Sequence, residues 1–311
     1  MSSRPPFPLL FEPLFQERPW GGRRLESAFG RQIPPGKRIG ESWEIVDRLE
    51  AQSIVRHGPW AGRTLHELWS NHRPEIFGEG AVDSSRFPIL AKLLDAEEKL
   101  SLQVHPATGG EAKTEMWFFI AADAGAEIYA GLERGVTRDQ FEQAVAKGAA
   151  AHLVHRIAIK SGDAFFVPGG RLHAIGAGNF LIEIQQNSDT TFRLFDWNRR
   201  APEGAARDLQ IEKALQEIDF ADFEPELISP AGERLVECAH FVVEKWNLER
   251  TRRASERPAF ALFACLSGAV ETGGLRLGPG EFFLVPAFAA ASELQPGASG
   301  TNLLRVTLPA R

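Results

Sequence analysis

The sequence predicts a mainly β chain, built as two small jelly-roll barrels with a few short decorating helices, and three observations point there. Apolar and polar residues alternate over short runs that glycine and proline separate, the pattern of half-buried strands. Ser161-Gly-Asp-Ala-Phe-Phe-Val-Pro168 is echoed by Pro279-Gly-Glu-Phe-Phe-Leu-Val-Pro286, an internal repeat of the kind that duplicated domains leave. The helical segments are few and too short to form a core by themselves.

Taken in order, the run from Thr64 begins with an N-capping hydroxyl and a 3-to-4 apolar period, which predicts a helix over 64–70 and onward. In Lys99-Leu-Ser-Leu-Gln-Val-His105, a strand places Ser101, Gln103 and His105 on one face and Leu100, Leu102 and Val104 on the other. Lys113, Glu115, Trp117 and Phe119 share a face of the next strand. Thr137 and Gln140 have capping-box spacing and start a second helix. Gly162 to His173 bends a strand tightly through its glycines and proline before presenting a histidine. Phe180, Ile182 and Ile184 then alternate with Leu181, Glu183 and Gln185, and a third helix covers Leu209 to Ile218. The Pro- and acid-rich stretch Phe220 to Pro230 marks a boundary, giving an N-terminal domain over 1–225 and a degenerate C-terminal barrel over 226–311.

The spacing Gly-x5-Pro-x-Gly-x2-His in Gly162 to His173 is a cupin barrel signature. Together with the two preceding strands it converges Gln103, His105, Glu115 and His173 on one point. Two imidazoles, a carboxylate and an amide oxygen suit a borderline divalent metal such as zinc, and iron, manganese or cobalt also fit. In the second copy the residue five beyond the proline is Ala291, not histidine, so one metal per chain is expected. Glu183 and Gln185 belong to the same interior as His173, and a buried acid needs partners. Lys92, Lys113 and Arg193 supply positive charge.

With 311 residues and a net charge of −6, the chain lacks the basic excess of a nucleic-acid backbone binder, so any anionic ligand must meet a local cationic cluster. Prolines interrupt Met1 to Leu10 where a signal peptide needs an apolar helix, and no segment approaches the ~20 apolar residues of a membrane span. No membrane partner and a cytoplasmic location are the expectation. Cys238 and Cys265 form no Cys-x-x-Cys pair and read as free thiols of a reducing compartment. Nothing in the sequence sets an oligomeric state.

Beyond these elements, six pieces carry a family resemblance: Glu17-Arg-Pro-Trp20-Gly-Gly, Gly40-Glu-Ser-Trp-Glu-Ile, Ser101 to Pro106, Lys113 to Phe118, the Gly162 to His173 turn with Ala-Ile-Gly after it, and Glu183 to Arg193. In this combination the chain resembles the type I mannose-6-phosphate isomerases, in their short bacterial form, from about residue 7 to residue 200. Methionine stands at 116 where that family commonly has cysteine, and Phe192 where tyrosine is common; neither is a donor.

The resemblance implies a single zinc held by Gln103, His105, Glu115 and His173, with Lys92, Ser101 and Lys113 lining the substrate pocket. It further implies Glu183 as a contact to substrate or to the ligand shell and Arg193 as the catalytic arginine. The implied reaction interconverts mannose 6-phosphate and fructose 6-phosphate through an enediol, moving a proton between carbons 1 and 2. Arginine would stabilise the enediolate and the lysines hold the phosphate. A water on the metal, His105 and Glu183 all remain candidates for the base. Rival readings are another metal-dependent sugar-phosphate isomerase, a bicupin oxygenase, and a non-catalytic sugar-binding cupin. The three cations count against the oxygenase, and the lack of a DNA-binding helix pair or basic face counts against a regulator.

Overall fold

In the computed structural model, residues 7–199 and 207–310 are described; of the N-terminal stretch discussed above, residues 1–6 lie outside them. Eleven strands precede residue 200: β1 (Leu14–Gly22), β2 (Ile39–Ile45), β3 (Ile89–Ala96), β4 (Leu102–Val104), β5 (Glu115–Ala122), β6 (Glu127–Leu132), β7 (Val154–Ala158), β8 (Ala164–Val167), β9 (His173–Ile175), β10 (Asn179–Gln186) and β11 (Phe192–Phe195). They form a six-stranded sheet ordered β1-β2-β3-β10-β5-β8 and a five-stranded sheet ordered β11-β4-β9-β6-β7. Nine more follow: β12 (Arg234–Glu237), β13 (Val242–Asn247), β14 (Arg252–Arg253), β15 (Ala261–Ser267), β16 (Val270–Thr272), β17 (Leu275–Leu277), β18 (Phe282–Val285), β19 (Glu293–Pro296) and β20 (Asn302–Thr307). Their sheets run β12-β13-β20-β15-β18 and β14-β19-β16-β17. Advancing each label of β2-β3-β10-β5-β8 and β4-β9-β6-β7 by ten gives the second pair of sheets. The echo at Ser161 and Pro279 is thus the visible remnant of a whole duplicated barrel, with β8 and β18 as corresponding edge strands.

Chain and compact units do not coincide. One unit comprises the N-terminal stretch to Leu14 together with Ser42–Lys92 and Ser229–Arg311; the other comprises Phe15–Glu41 and Leu93–Ile228. The change of unit falls inside β1, β2 and β3.

Each barrel is filled by the inward positions of its strands. Leu94, Trp117, Phe119, Ile128, Phe165, Val167 and Leu181 form one core, and Trp246, Phe263, Cys265, Val270, Phe283, Leu294 and Leu303 form the other. β3 is buried along its whole length and β10 along all but its last residue. With both faces covered, β3 reads as a nearly continuous apolar run broken only by Lys92 and Asp95, whereas β10 buries Asn179, Glu183 and Gln185 among its apolar residues.

Helices decorate these sheets. α2 (Leu65–Asn71) starts at Thr64 and α4 (Arg138–Ala146) at Thr137, each with a complete capping box, through Glu67 and Gln140 respectively. α5 (Ile211–Glu217) lies within the expected third helix. α4 and α5 cover the outer face of the β4-β9-β6 sheet, where Phe141 and Ala214 pack with Leu102, Val104, Leu132 and Ala174. Two helices had no sequence forecast, α1 (Arg24–Phe29) and α3 (Arg73–Phe77); neither has a side-chain cap to announce it. Among the described residues no helix is long and apolar enough to cross a membrane.

Candidate active site

Two short strands, one tight turn and the first residue of a longer strand carry the candidate donors. β4 runs only from Leu102 to Val104, and its neighbour β9 begins at His173, which pairs directly with Gln103. On the other side of β4, Arg193 of β11 is the cross-strand partner of the same glutamine. Paired residues of adjacent strands project to the same face, so Arg193, Gln103 and His173 form one row. Glu115 opens β5 in the other sheet, opposite Gln185 of β10, and Trp117 lies opposite Glu183.

The turn before His173 depends on its glycines. Gly170 has φ +89°, and a Cβ on Gly169 would lie 2.6 Å from both the Ala107 Cα and the Pro106 carbonyl oxygen, so the turn can sit against the segment after His105 only without a side chain. The Gly170 amide also donates to the His105 carbonyl at 2.9 Å. One hydrogen bond therefore ties together the two histidine-bearing segments.

His105, Glu115 and His173 are all about 1% exposed, and one ligand atom from each lies within 4.8 Å of the others. His105 Nδ1 donates to the Thr190 carbonyl and His173 Nδ1 to the Arg171 carbonyl, both at 2.9 Å. That fixes the tautomers and leaves each Nε2 with a lone pair facing Glu115, at 3.4 Å and 3.6 Å. Oriented imidazoles of this kind are what a metal centre requires. Glu115 Oε2 is buried without a hydrogen bond of good geometry, although Lys113 Nζ is 2.9 Å away and His105 Nε2 close by; it keeps lone-pair capacity for a cation. Ser101 Oγ donates to Gln103 Oε1 at 3.1 Å, and Gln103 Nε2 lies 3.4 Å from His173 Nε2. A half-turn of that amide exchanges its oxygen and nitrogen and presents Oε1 as a further donor. The residues present thus fit a divalent cation.

Electrostatics agree. Burial, and then the Lys113 charge, pushes His105 down to about 3, and burial also lowers His173, so both rings are neutral at physiological pH. Burial disfavours the Glu115 carboxylate, but the Lys113 charge outweighs it and holds the group well below the ordinary carboxylate range. Lys113 is raised despite its burial because Glu115 and Glu183 lie near it.

The remaining expected residues are distributed unevenly. Glu183 is 4% exposed, and its Oε2 accepts the Trp117 indole N–H at 3.0 Å. Lys92 ends the Ser42–Lys92 segment of its compact unit and has Nζ 5.2 Å from the Trp43 ring centroid. Three residues escaped the sequence reading. Gln210 clamps the backbone of Arg193 from both sides, its side-chain Oε1 accepting from Arg193 N and its backbone N–H donating to Arg193 O. Arg199 and Arg207 gather on Asp196 at 2.8 and 3.8 Å. Burial, and then Arg193, lowers the pKa of Arg207, so these guanidinium groups feel one another. Nε of Arg193, and one terminal nitrogen each of Arg199 and Arg207, are buried without a hydrogen bond. The only sequence signal was a local richness in arginine after Arg193.

A duplicated cupin whose first barrel carries a buried donor set at its mouth is the class of protein that fold and site define. Residues 9–128 match the family model for the catalytic domain of type I phosphomannose isomerase. The mannose-6-phosphate isomerase ManA of Bacillus subtilis is 39% identical over 277 residues, 84% of this chain and 86% of the relative; that of Streptococcus mutans is 37% identical over 84% and 85%. The crystal structure of the Bacillus subtilis mannose 6-phosphate isomerase superimposes with a TM-score of 0.86 at 32% identity, covering 97% of this chain and 99% of that one. A mannose 6-phosphate isomerase solved with zinc and yttrium shares the fold at a TM-score of 0.74 and 16% identity, over 97% and 100% of the two chains. The chain belongs to the type I mannose-6-phosphate isomerases, aldose-ketose isomerases that interconvert mannose 6-phosphate and fructose 6-phosphate.

Proposed function

We propose that the isomerisation runs at a single zinc held by His105, Glu115, His173 and Gln103. The observation that carries this reading is the pair of neutral imidazoles whose Nε2 lone pairs face one buried carboxylate. Mixed nitrogen and oxygen donors suit zinc, and a solved relative of the same fold is bound with zinc. When bound, the metal would polarise the oxygens on carbons 1 and 2 of the open-chain sugar.

The chain's own side chains do the rest. Arg193, in the row of Gln103 and His173, sets a permanent cation against the negative charge that develops as the proton moves between carbons 1 and 2. Glu183, oriented by Trp117, and Ser101 contact the sugar, and Lys92 and Lys113 line the pocket. Lys113 is already engaged with Glu115, so its charge serves chiefly to keep that donor ionised. The phosphate falls to Arg199 and Arg207, whose clustered guanidinium groups around a single carboxylate favour a dianion.

The division of labour follows the two barrels, with residues 1–225 catalytic and 226–311 a degenerate cupin without metal. Cytoplasmic residence is part of the reading, supported by two free cysteines, Cys238 and Cys265. The deciding experiment is a coupled assay of fructose 6-phosphate formation from mannose 6-phosphate, with elemental analysis of the same preparation. Full turnover in protein stripped of metal would refute the zinc centre.

A further inference from the structure

The duplication lets the mouth of the second barrel be read position by position against the first. Trp117 pairs with Glu183 and Phe165; its counterpart Phe263 pairs with Arg305 and Phe283. Glu115 pairs with Val167, and Ala261 with Val285. Alanine therefore stands for the metal-binding carboxylate, and arginine for Glu183. In the place of the Gln103 strand lies β14, which is Arg252–Arg253. The second mouth has exchanged metal donors for guanidinium groups.

These groups surround a cleft of about 590 Å³, lined by Arg234, Arg252, Arg253, Arg257 and Arg305 against the carboxylates of Glu237, Glu244 and Glu256. That volume is in the ordinary range for a small-molecule site, roughly 300–1,000 Å³. Five cations against three anions line it, in a chain whose net charge is −6. Two of the cations are held in place by one indole. Arg252 has its guanidinium carbon 3.5 Å from the Trp246 ring centroid, and Arg305 5.1 Å. Glu244 fixes this frame, accepting from Trp246 Nε1 at 3.2 Å and from Arg305 Nη1 at 2.7 Å. Arg305 also gives Nε to the Ala254 carbonyl, and Arg252 gives Nη1 to Glu233. Among the described residues Arg305 Nη2, and Nε and Nη2 of Arg252, are spent on none of these bonds, and Arg257 has no acidic partner. Guanidinium groups held by stacking retain forked donors and lose little entropy on binding.

We propose that the mouth of the second barrel binds a small phosphomonoester. A phosphate monoester carries close to two negative charges at neutral pH, and its oxygens suit the forked donors left on Arg252, Arg257 and Arg305. A sugar phosphate and free inorganic phosphate share this chemistry.

Equilibrium dialysis of the metal-loaded enzyme with radiolabelled fructose 6-phosphate tests the proposal. Two bound equivalents per chain are expected. The double substitution Arg252→Glu and Arg257→Glu should remove one equivalent and leave kcat and KM of the isomerisation unchanged. In case that variant folds poorly, the single change Arg257→Gln, at an exposed side chain, should weaken the second equivalent by about threefold to tenfold, that is ~0.7–1.4 kcal/mol. Inorganic phosphate in excess should displace the second equivalent. Binding of only one equivalent by the unaltered enzyme, persistence of the second in both variants, or failure of phosphate to displace it would each overturn the proposal.

Discussion

Arg193 and Gln103 face each other across the ladder between β11 and β4, and His173 continues the same row on β9. A cation is thereby placed beside the donor set without being one of its members. Arg193→Ala should accordingly keep its metal and its unfolding midpoint while kcat falls roughly a hundredfold, about 3 kcal/mol, with a smaller change in KM. Steady-state kinetics and elemental analysis on one preparation check this. Retention of more than about a third of turnover, a loss under ~1 kcal/mol, would return Arg193 to a structural role.

His173→Ala and Glu115→Ala should each lose the metal yet remain folded. The barrel interior below them rests on Trp117, Phe119, Phe165 and Leu181, none of which either change removes. Metal content per chain and a circular dichroism melt distinguish loss of the ion from loss of the fold. Unaltered protein should hold one equivalent, since Ala261 occupies the position of Glu115 in the second barrel; reloading to two equivalents would contradict that.

Gly169→Ala should lower metal occupancy although Gly169 is not a donor. Its new methyl would fall 2.6 Å from the backbone after His105, so the turn must retreat and carry His173 away from His105. Titration with a chromophoric chelator should show weaker metal affinity, and unchanged affinity would mean that the turn yields elsewhere.

Trp117→Phe preserves most of the ring that packs against Phe165 and His173 but removes the indole donor to Glu183. A hydrogen bond to a charged group typically contributes ~1.5–3 kcal/mol. A fall of about tenfold or more in kcat/KM is expected with the metal retained. If kcat/KM were unchanged, Glu183 would not need this positioning.

The barrels were legible because their information is local. A period of two within each strand separated Ser101, Gln103 and His105 from Leu102 and Val104, and Gly-x5-Pro-x-Gly-x2-His marked the turn by backbone chemistry alone. The Thr64 and Thr137 caps were equally readable, since a capping box is closed within four residues. α1 and α3 were not, because each is a single short segment with no side-chain cap and is held by what it packs on.

By itself, then, the sequence determined the β class, the duplication and the identity of the candidate donors. Only the tertiary structure decided how they are used. That Gln210 clamps Arg193 depends on how the segment before α5 folds back on β11, and that Arg193 sits beside Gln103 and that Arg305 stands where Glu183 would be depend on register between strands. So do compact units whose pieces are not contiguous in the chain. Side-chain alternation is imposed by the geometry of each strand, whereas register is fixed when residues tens of positions apart bury their apolar faces together, and no local pattern encodes that choice.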